Sequence, residues 1–231
     1  NEEVNMGLST EKELQLRLLN LLNVMGVNVM SISDYVDKYK VKNTIQLDDF
    51  NTKEIIENAI GKLKKVRKKI SKLQDTMYAE GKYGMLICLQ GMDTSGKDSL
   101  IREVFKDVNA SGVEVHSFKV PTELELKHDF MWRHYIALPP KGKMGIFSRT
   151  HYENVLVTRV HPNYIFGENI PAVKSLADLD DAFYHDRMER INQFENHLET
   201  NGTIVVKFFL NLSKEYGASV RTIYNWIKLY D

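Results

Sequence analysis

Residues 85–100 read MLICLQGMDTSGKDSL, and the order of residue types in this stretch decides the fold. Met85, Leu86, Ile87, Cys88 and Leu89 form an apolar run of strand length that closes on Gln90. Gly91, Met92, Asp93, Thr94, Ser95, Gly96 and Lys97 then spell G-x-x-x-x-G-K, and a helical pattern follows over 98–108. Strand, glycine-bounded loop and helix in that order give the spacing a physical use. Glycines let the main chain curl until several N–H groups point inward, the helix N-terminus adds partial positive charge, and the lysine ammonium reaches the terminal phosphates. The flanking strand and helix argue against a chance glycine-lysine turn. The stretch is therefore read as a cradle for a phosphate chain, with Gly91, Thr94, Ser95, Gly96, Lys97, Asp98 and Ser99 around it.

Two residues depart from the usual loop. The position after the lysine, ordinarily a Ser or Thr that holds magnesium, is Asp98, with Ser99 one place later. Asp93 stands among the N–H donors, where a carboxylate repels phosphate unless a divalent cation lies between them. A magnesium ion at Asp93 is the expectation.

Outward from the loop, the N-terminal side carries two helical patterns. One covers 11–29, through Leu14, Leu18, Leu21, Leu22 and Met25. The other covers 51–79, with Thr52 or Asn51 as cap and Gly81 as stop. The polar face of the second bears Lys62, Lys64, Lys65, Arg67, Lys68, Lys69 and Lys72, which reads as a solvated face or as a contribution to holding a polyanion. On the C-terminal side, a strand is expected over 113–120 and a helix from Pro121 and Thr122 through Trp132. A loop is expected over 138–143, a strand over 144–147, helices over 152–160 and 178–200, and an apolar strand over 203–210. Apolar strands alternating with helices call for a parallel sheet with right-handed crossovers. The expected fold is α/β: three layers, a P-loop kinase-like sheet covered by helices on both faces. The expected organisation is an N-terminal helical extension over 1–33, a core over 34–215 and a helical tail over 216–231.

The carboxyl end of the 144–147 strand continues as Ser148, Arg149, Thr150, His151, Tyr152 and Glu153. An α/β sheet puts its ligand crevice at that end, so Arg149 is expected to face the loop and to bind a transferring phosphoryl group in bidentate fashion. A helix cap or surface ion pair is the plain alternative for Arg149, as it is for Glu153 and Arg159 on the following helix. Ser148 stands where P-loop enzymes put a metal-binding Asp, which throws metal duty onto Asp93. Asp129 and Arg133 are spaced i,i+4 for an ion pair, and Arg133 is also a candidate phosphate contact. The seven histidines form no recognisable metal-ligand spacing.

With 31 Lys+Arg against 31 Asp+Glu among 231 residues, net charge points to no partner and argues against a nucleic-acid coat, leaving a local basic groove open. The single cysteine, Cys88, lies in the apolar run and fits a reducing cytoplasm. No apolar run approaches the ~20 residues of a membrane helix, and Glu2 and Glu3 stand where a signal peptide is basic. Residues 11–29 can dock on the core or on another subunit, and a homo-oligomer is expected.

Three stretches, YAEGKYGMLICLQGMDTSGKDS (78–99), VPTELELKHDFMWRH (120–134) and GIFSRTHYENVLVTRVHP (145–162), together resemble the signature blocks of the type-2 polyphosphate kinase family. KFFLNLSKE (207–215) resembles its last core strand. The resemblance spans about 35–215. It implies a P-loop core where inorganic polyphosphate and a nucleoside mono- or diphosphate meet in one groove, with magnesium, and phosphate passes directly between them. It assigns Asp93 to metal binding and substrate orientation, Lys97 to the loop lysine and Arg149 to the arginine after the third strand. The HDFMWR block resembles the subgroup that acts on monophosphates as well as diphosphates, taking AMP and ADP toward ADP and ATP, with Glu123 a candidate for contacting the base. Ser148 departs from the family's Asp or Asn. Where the family continues into a basic helical lid, this sequence has 216–231. KEYGASVRTIYNWIKLYD (214–231) also resembles the recognition half of a helix-turn-helix, although a strand precedes it instead of a first helix. The competing readings are thus an ATP-dependent nucleotide or small-metabolite kinase, and a DNA-binding protein with a regulatory P-loop.

Overall fold

The apolar run before the glycine loop forms β1 (Gly84–Gly91). It joins β2 (Val113–Ser117), β3 (Met144–Arg149) and β4 (Thr203–Leu210) in a sheet of order β2-β3-β1-β4, with every pairing parallel. A strand paired on both edges and buried over 85–89 leaves no place for a polar alternation, which is why the run is continuously apolar. The structure, a computed structural model, describes residues 59–91 and 95–210. The expectations for 11–29, for the start of the 51–79 helix, for Asp93 and Thr94, for the boundaries at 33 and 215 and for 214–231 all lie outside the described residues.

The chain forms two compact units, Asn1–Thr76 with Ser99–Asn109 and Met77–Asp98 with Ala110–Asp231. In the first, α1 (Ala59–Glu80) and α2 (Lys97–Val104) contribute Val66, Ile70 and Val104 to a core that Leu73, Leu100, Phe105 and Val108 complete. Arg67 pairs with the Glu103 carboxylate. The buried Gln74 amide donates to the Asn109 carbonyl and accepts from its N–H, both at 2.8 Å, standing in for a main-chain pair. Lys64, Lys65, Lys68, Lys69 and Lys72 are exposed.

In the second unit α3 (Trp132–Tyr135) lies between β2 and β3, and α4 (Glu153–Val160), α5 (Asn163–Phe166) and α6 (Asp181–Thr200) lie between β3 and β4. Leu86, Cys88 and Phe147 share one sheet face and pack on Leu198 of α6. Val155, Tyr184 and Ile191 form a second cluster between α4 and α6. α6 begins where Asp180 accepts the Phe183 N–H at 2.9 Å and ends at Asn201, before Gly202. Strands alternating with helices in a parallel sheet are the α/β class expected.

The helix expected from Pro121 through Trp132 is not formed. Thr122 and Glu125 exchange hydrogen bonds in a capping box, but only a 3₁₀ turn over Glu125–Lys127 follows, and His128 is extended. The Asp129 carboxylate then accepts the Met131 N–H at 2.9 Å, competing with helical bonding and restarting the chain as the single turn of α3. The i,i+4 pair of Asp129 with Arg133 is replaced too: Arg133 donates to the Lys119 carbonyl at 2.7 Å and lies 3.9 Å from Glu125.

Candidate phosphate-transfer site

Pairing between β1 and β3 stops at Cys88 with Phe147, although β1 continues to Gly91 and β3 to Arg149. The carboxyl ends of neighbouring parallel strands therefore part, which is how an α/β sheet opens a ligand crevice. The glycine loop leaves from β1 at that opening. Gly96 has φ +83, a value that disfavours any side chain, and the loop turns there into α2. The Lys97 ammonium donates to the Gly91 carbonyl at 2.7 Å and lies 3.4 Å from the Ser95 hydroxyl. The Ser148 hydroxyl donates to the Asp98 carboxylate at 3.2 Å. A P-loop ordinarily sets a hydroxyl on the helix against a carboxylate on the strand. Here the same pair is present with its ends exchanged.

The turn joining β3 to α4 is tied to β1 through the Gln90 side chain. Gln90 accepts from the Thr150 hydroxyl at 2.8 Å and donates to the Glu153 carboxylate at 2.9 Å. Thr150 is fully buried, and its hydroxyl oxygen also accepts the Tyr152 N–H at 3.2 Å. Arg149, half-buried, is the last residue of β3 and pairs in register with Ser117 just past an irregularity that leaves Ser148 of β3 without a register partner. Such irregularities re-aim a strand end.

From its other side the turn rests on α6 and β4. Glu195 accepts from Tyr152 at 2.9 Å and from Lys207 at 2.6 Å, and its carboxylate is 2.9 Å from His151 Nε2. Burial favours the neutral acid, yet the bonds from His151 and Lys207 hold the Glu195 carboxyl below its ordinary range. Asn154, at the start of α4, contacts His134 Nε2 at 3.1 Å and donates to the His151 carbonyl at 2.9 Å. Burial pushes His134 down to about 2, so that ring is neutral at physiological pH.

Gly91, Ser95, Gly96, Lys97 and Asp98 thus meet Ser148, and the turn bearing Arg149 and Glu153, at one end of the sheet. The other candidates lie differently. Arg133 is buried against Phe118, with its guanidinium pushed below its ordinary value by desolvation. Arg159 pairs with Asp181 and lies 5.4 Å over the Tyr184 ring. Glu123 is exposed, and Ser99 belongs to the other compact unit. Gln90, Thr150, Glu195 and Lys207, which hold the turn, were not among the sequence candidates. A lone polar residue closing the apolar strand was the one available signal for Gln90. Among the described residues no group of three or more His, Cys, Asp or Glu is placed to hold a metal. The oxygen pair of Asp98 and Ser148 nevertheless suits magnesium, which keeps water and phosphate oxygens and takes only one or two carboxylates.

The family model described as Polyphosphate kinase 2 (PPK2) matches residues 56–220, most of the chain. The chain belongs to the polyphosphate kinase 2 family. A relative from Rhodopseudomonas palustris named ADP-polyphosphate phosphotransferase is 43% identical over 147 residues, which are 64% of this chain and 50% of that protein. One from Meiothermus ruber, named AMP/ADP-polyphosphate phosphotransferase, is 43% identical over 157 residues, 68% of this chain and 53% of that protein. The chain thus spans about half the length of the curated relatives it matches. The crystal structure of polyphosphate kinase 2 from Arthrobacter aurescens TC1 superimposes with a TM-score of 0.68 at 28% identity, covering 82% of this chain and 73% of that one. The likeness covers the α/β fold described above.

Proposed function

We propose that this chain transfers phosphate between inorganic polyphosphate and nucleoside mono- or diphosphates, taking AMP and ADP toward ADP and ATP. The observation that carries the reading is the meeting of the Lys97 loop, the Asp98–Ser148 pair and the Arg149 turn where β1 and β3 part. Phosphoryl transfer asks a protein mainly for positioning and for neutralisation of charge in flight. In this reading the loop amides and Lys97 hold one phosphate row, and the Arg149 guanidinium grips the phosphoryl group between donor and acceptor. Asp98 and Ser148, with Asp93 of the loop, would hold magnesium, which would offset phosphate charge during the transfer. Glu153 and Arg133 border the nucleotide side, and Glu123 contacts the base. Arg159, already paired with Asp181, serves at most through that pair. A cytoplasmic homo-oligomer is part of the same reading; among the described residues no helix is long and apolar enough to cross a membrane.

Polyphosphate as donor, in preference to ATP, is supported by the relatives' names. Incubating the purified chain with ADP or AMP and polyphosphate, then reading ATP or ADP, tests it. Nucleotide formed at the expense of polyphosphate is expected. Transfer only from ATP would favour a metabolite kinase, and salt-sensitive duplex binding without transfer would favour the DNA-binding alternative.

A further inference from the structure

We infer that Gln90 is a positioning residue for the transfer, a side-chain clamp that sets the distance between the glycine loop and the Arg149 turn; the inference rests on the function proposed above. Three observations carry it. First, main-chain pairing between β1 and β3 ends at Cys88 with Phe147, so the two strand ends that carry the chemistry have no ladder between them. Second, the Gln90 amide spans the gap to two partners: the Thr150 hydroxyl at 2.8 Å and the Glu153 carboxylate at 2.9 Å. Third, Gln90 and Thr150 are the immediate neighbours of the functional groups. Gln90 precedes Gly91, whose carbonyl holds Lys97 at 2.7 Å, and Thr150 follows Arg149.

The amide is suited to this place by having both polarities. Its oxygen takes the Thr150 proton, and its nitrogen gives a charge-assisted bond to Glu153. A glutamate at position 90 would keep the first bond and set two carboxylates 2.9 Å apart in place of the second. A methionine would keep the length and lose both bonds. The pairing also gives Glu153 a duty inside the protein: its carboxylate orients α4's first turn through Gln90. The polarity can be swapped, because Glu at 90 with Gln at 153 regenerates a donor and an acceptor in reversed order, with Thr150 still donating to position 90.

The test uses the full chain and the variants Q90M, Q90E, T150V and Q90E/E153Q, read by steady-state transfer and by amide hydrogen exchange of residues 149–153. Q90M, Q90E and T150V should lower kcat by about tenfold to a hundredfold, since a misplacement near 1 Å costs on that order. KM for the nucleotide should stay within about twofold, because the clamp sets geometry and adds no substrate contact. Exchange over 149–153 should quicken in all three. Q90E/E153Q should recover most of the exchange protection over 149–153 that Q90E loses. Unchanged exchange in Q90M and T150V would overturn the clamp even if the chain proved to catalyse another reaction. With quickened exchange, unchanged kcat in both would overturn the positioning role. An exchange variant no better than Q90E would overturn the assigned polarity. A wild type inactive with polyphosphate, with clamp-dependent exchange intact, would instead refute the proposed function and leave the clamp as architecture.

Discussion

Lys97 and Arg149 stand on opposite sides of the gap between β1 and β3, and each has chemistry that a substitute does not reproduce. In the proposed site the Lys97 ammonium would neutralise phosphate charge that main-chain amides alone leave unbalanced. Lys97→Ala should therefore lower kcat/KM by about 10²–10³, the cost typical of one preorganised electrostatic contact. Its far-ultraviolet circular dichroism and melting temperature should stay near those of the wild type. Activity within threefold of wild type would remove Lys97 from the site. This residue was legible in sequence because all that defines it is local: seven positions of spacing between a strand and a helix. Gln90 and Glu195 were not legible, since Gln90 meets Glu153 across 63 positions and His151 meets Glu195 across 44. Nothing in the residues adjoining either one announces its partner.

The elements follow the same division between local and distant causes. β1, β3 and β4, with α4 and α6, were readable from apolar runs, caps and glycine stops. The segment after β2 was not. Thr122 and Glu125 do form the expected start signal, but Asp129 and Arg133 spend their polar groups on Met131 and Lys119, and the expected helix collapses to a turn. Apolar spacing cannot register that competition, because it is decided by where the side chains bond. Close approach has a similar effect in β3. A Cβ built on Gly145 would lie 2.8 Å from Pro139 Cδ, with two further ring atoms within 3.2 Å, and a proline ring cannot swing aside. Gly145→Ala should cost about 1–3 kcal/mol as an overpacked core site. Urea unfolding would show this as a lower midpoint at unchanged m-value; an unchanged midpoint would mean the Pro139 loop moves freely.

For the whole molecule, the parallel α/β class was legible in the order of apolar runs and helical patterns, whereas the buried polar group beneath the site was visible only once the chain was folded. That group gives the molecule an acid limit. His134, held at about 2 by burial, binds its proton in the unfolded chain near the ordinary 6.5. Below about pH 6.5 the unfolded state takes up a proton that the folded state refuses, so stability falls as pH drops, by at most ~1.4 kcal/mol per unit for this group. Melting temperature should decline below that pH, and His134→Phe should flatten the decline. An identical acid limb in the variant would assign it to other groups.

In the proposed reaction phosphate passes from one chain of phosphates to another between the parted strand ends. Phosphorus NMR of the purified chain with magnesium, ADP and polyphosphate follows donor and product in one tube. Growth of the ATP γ-phosphate signal matched one for one by loss of polyphosphate, and slowed by about 10²–10³ in Lys97→Ala, is the result expected. A polyphosphate signal that persists undiminished while the protein stays folded would contradict it.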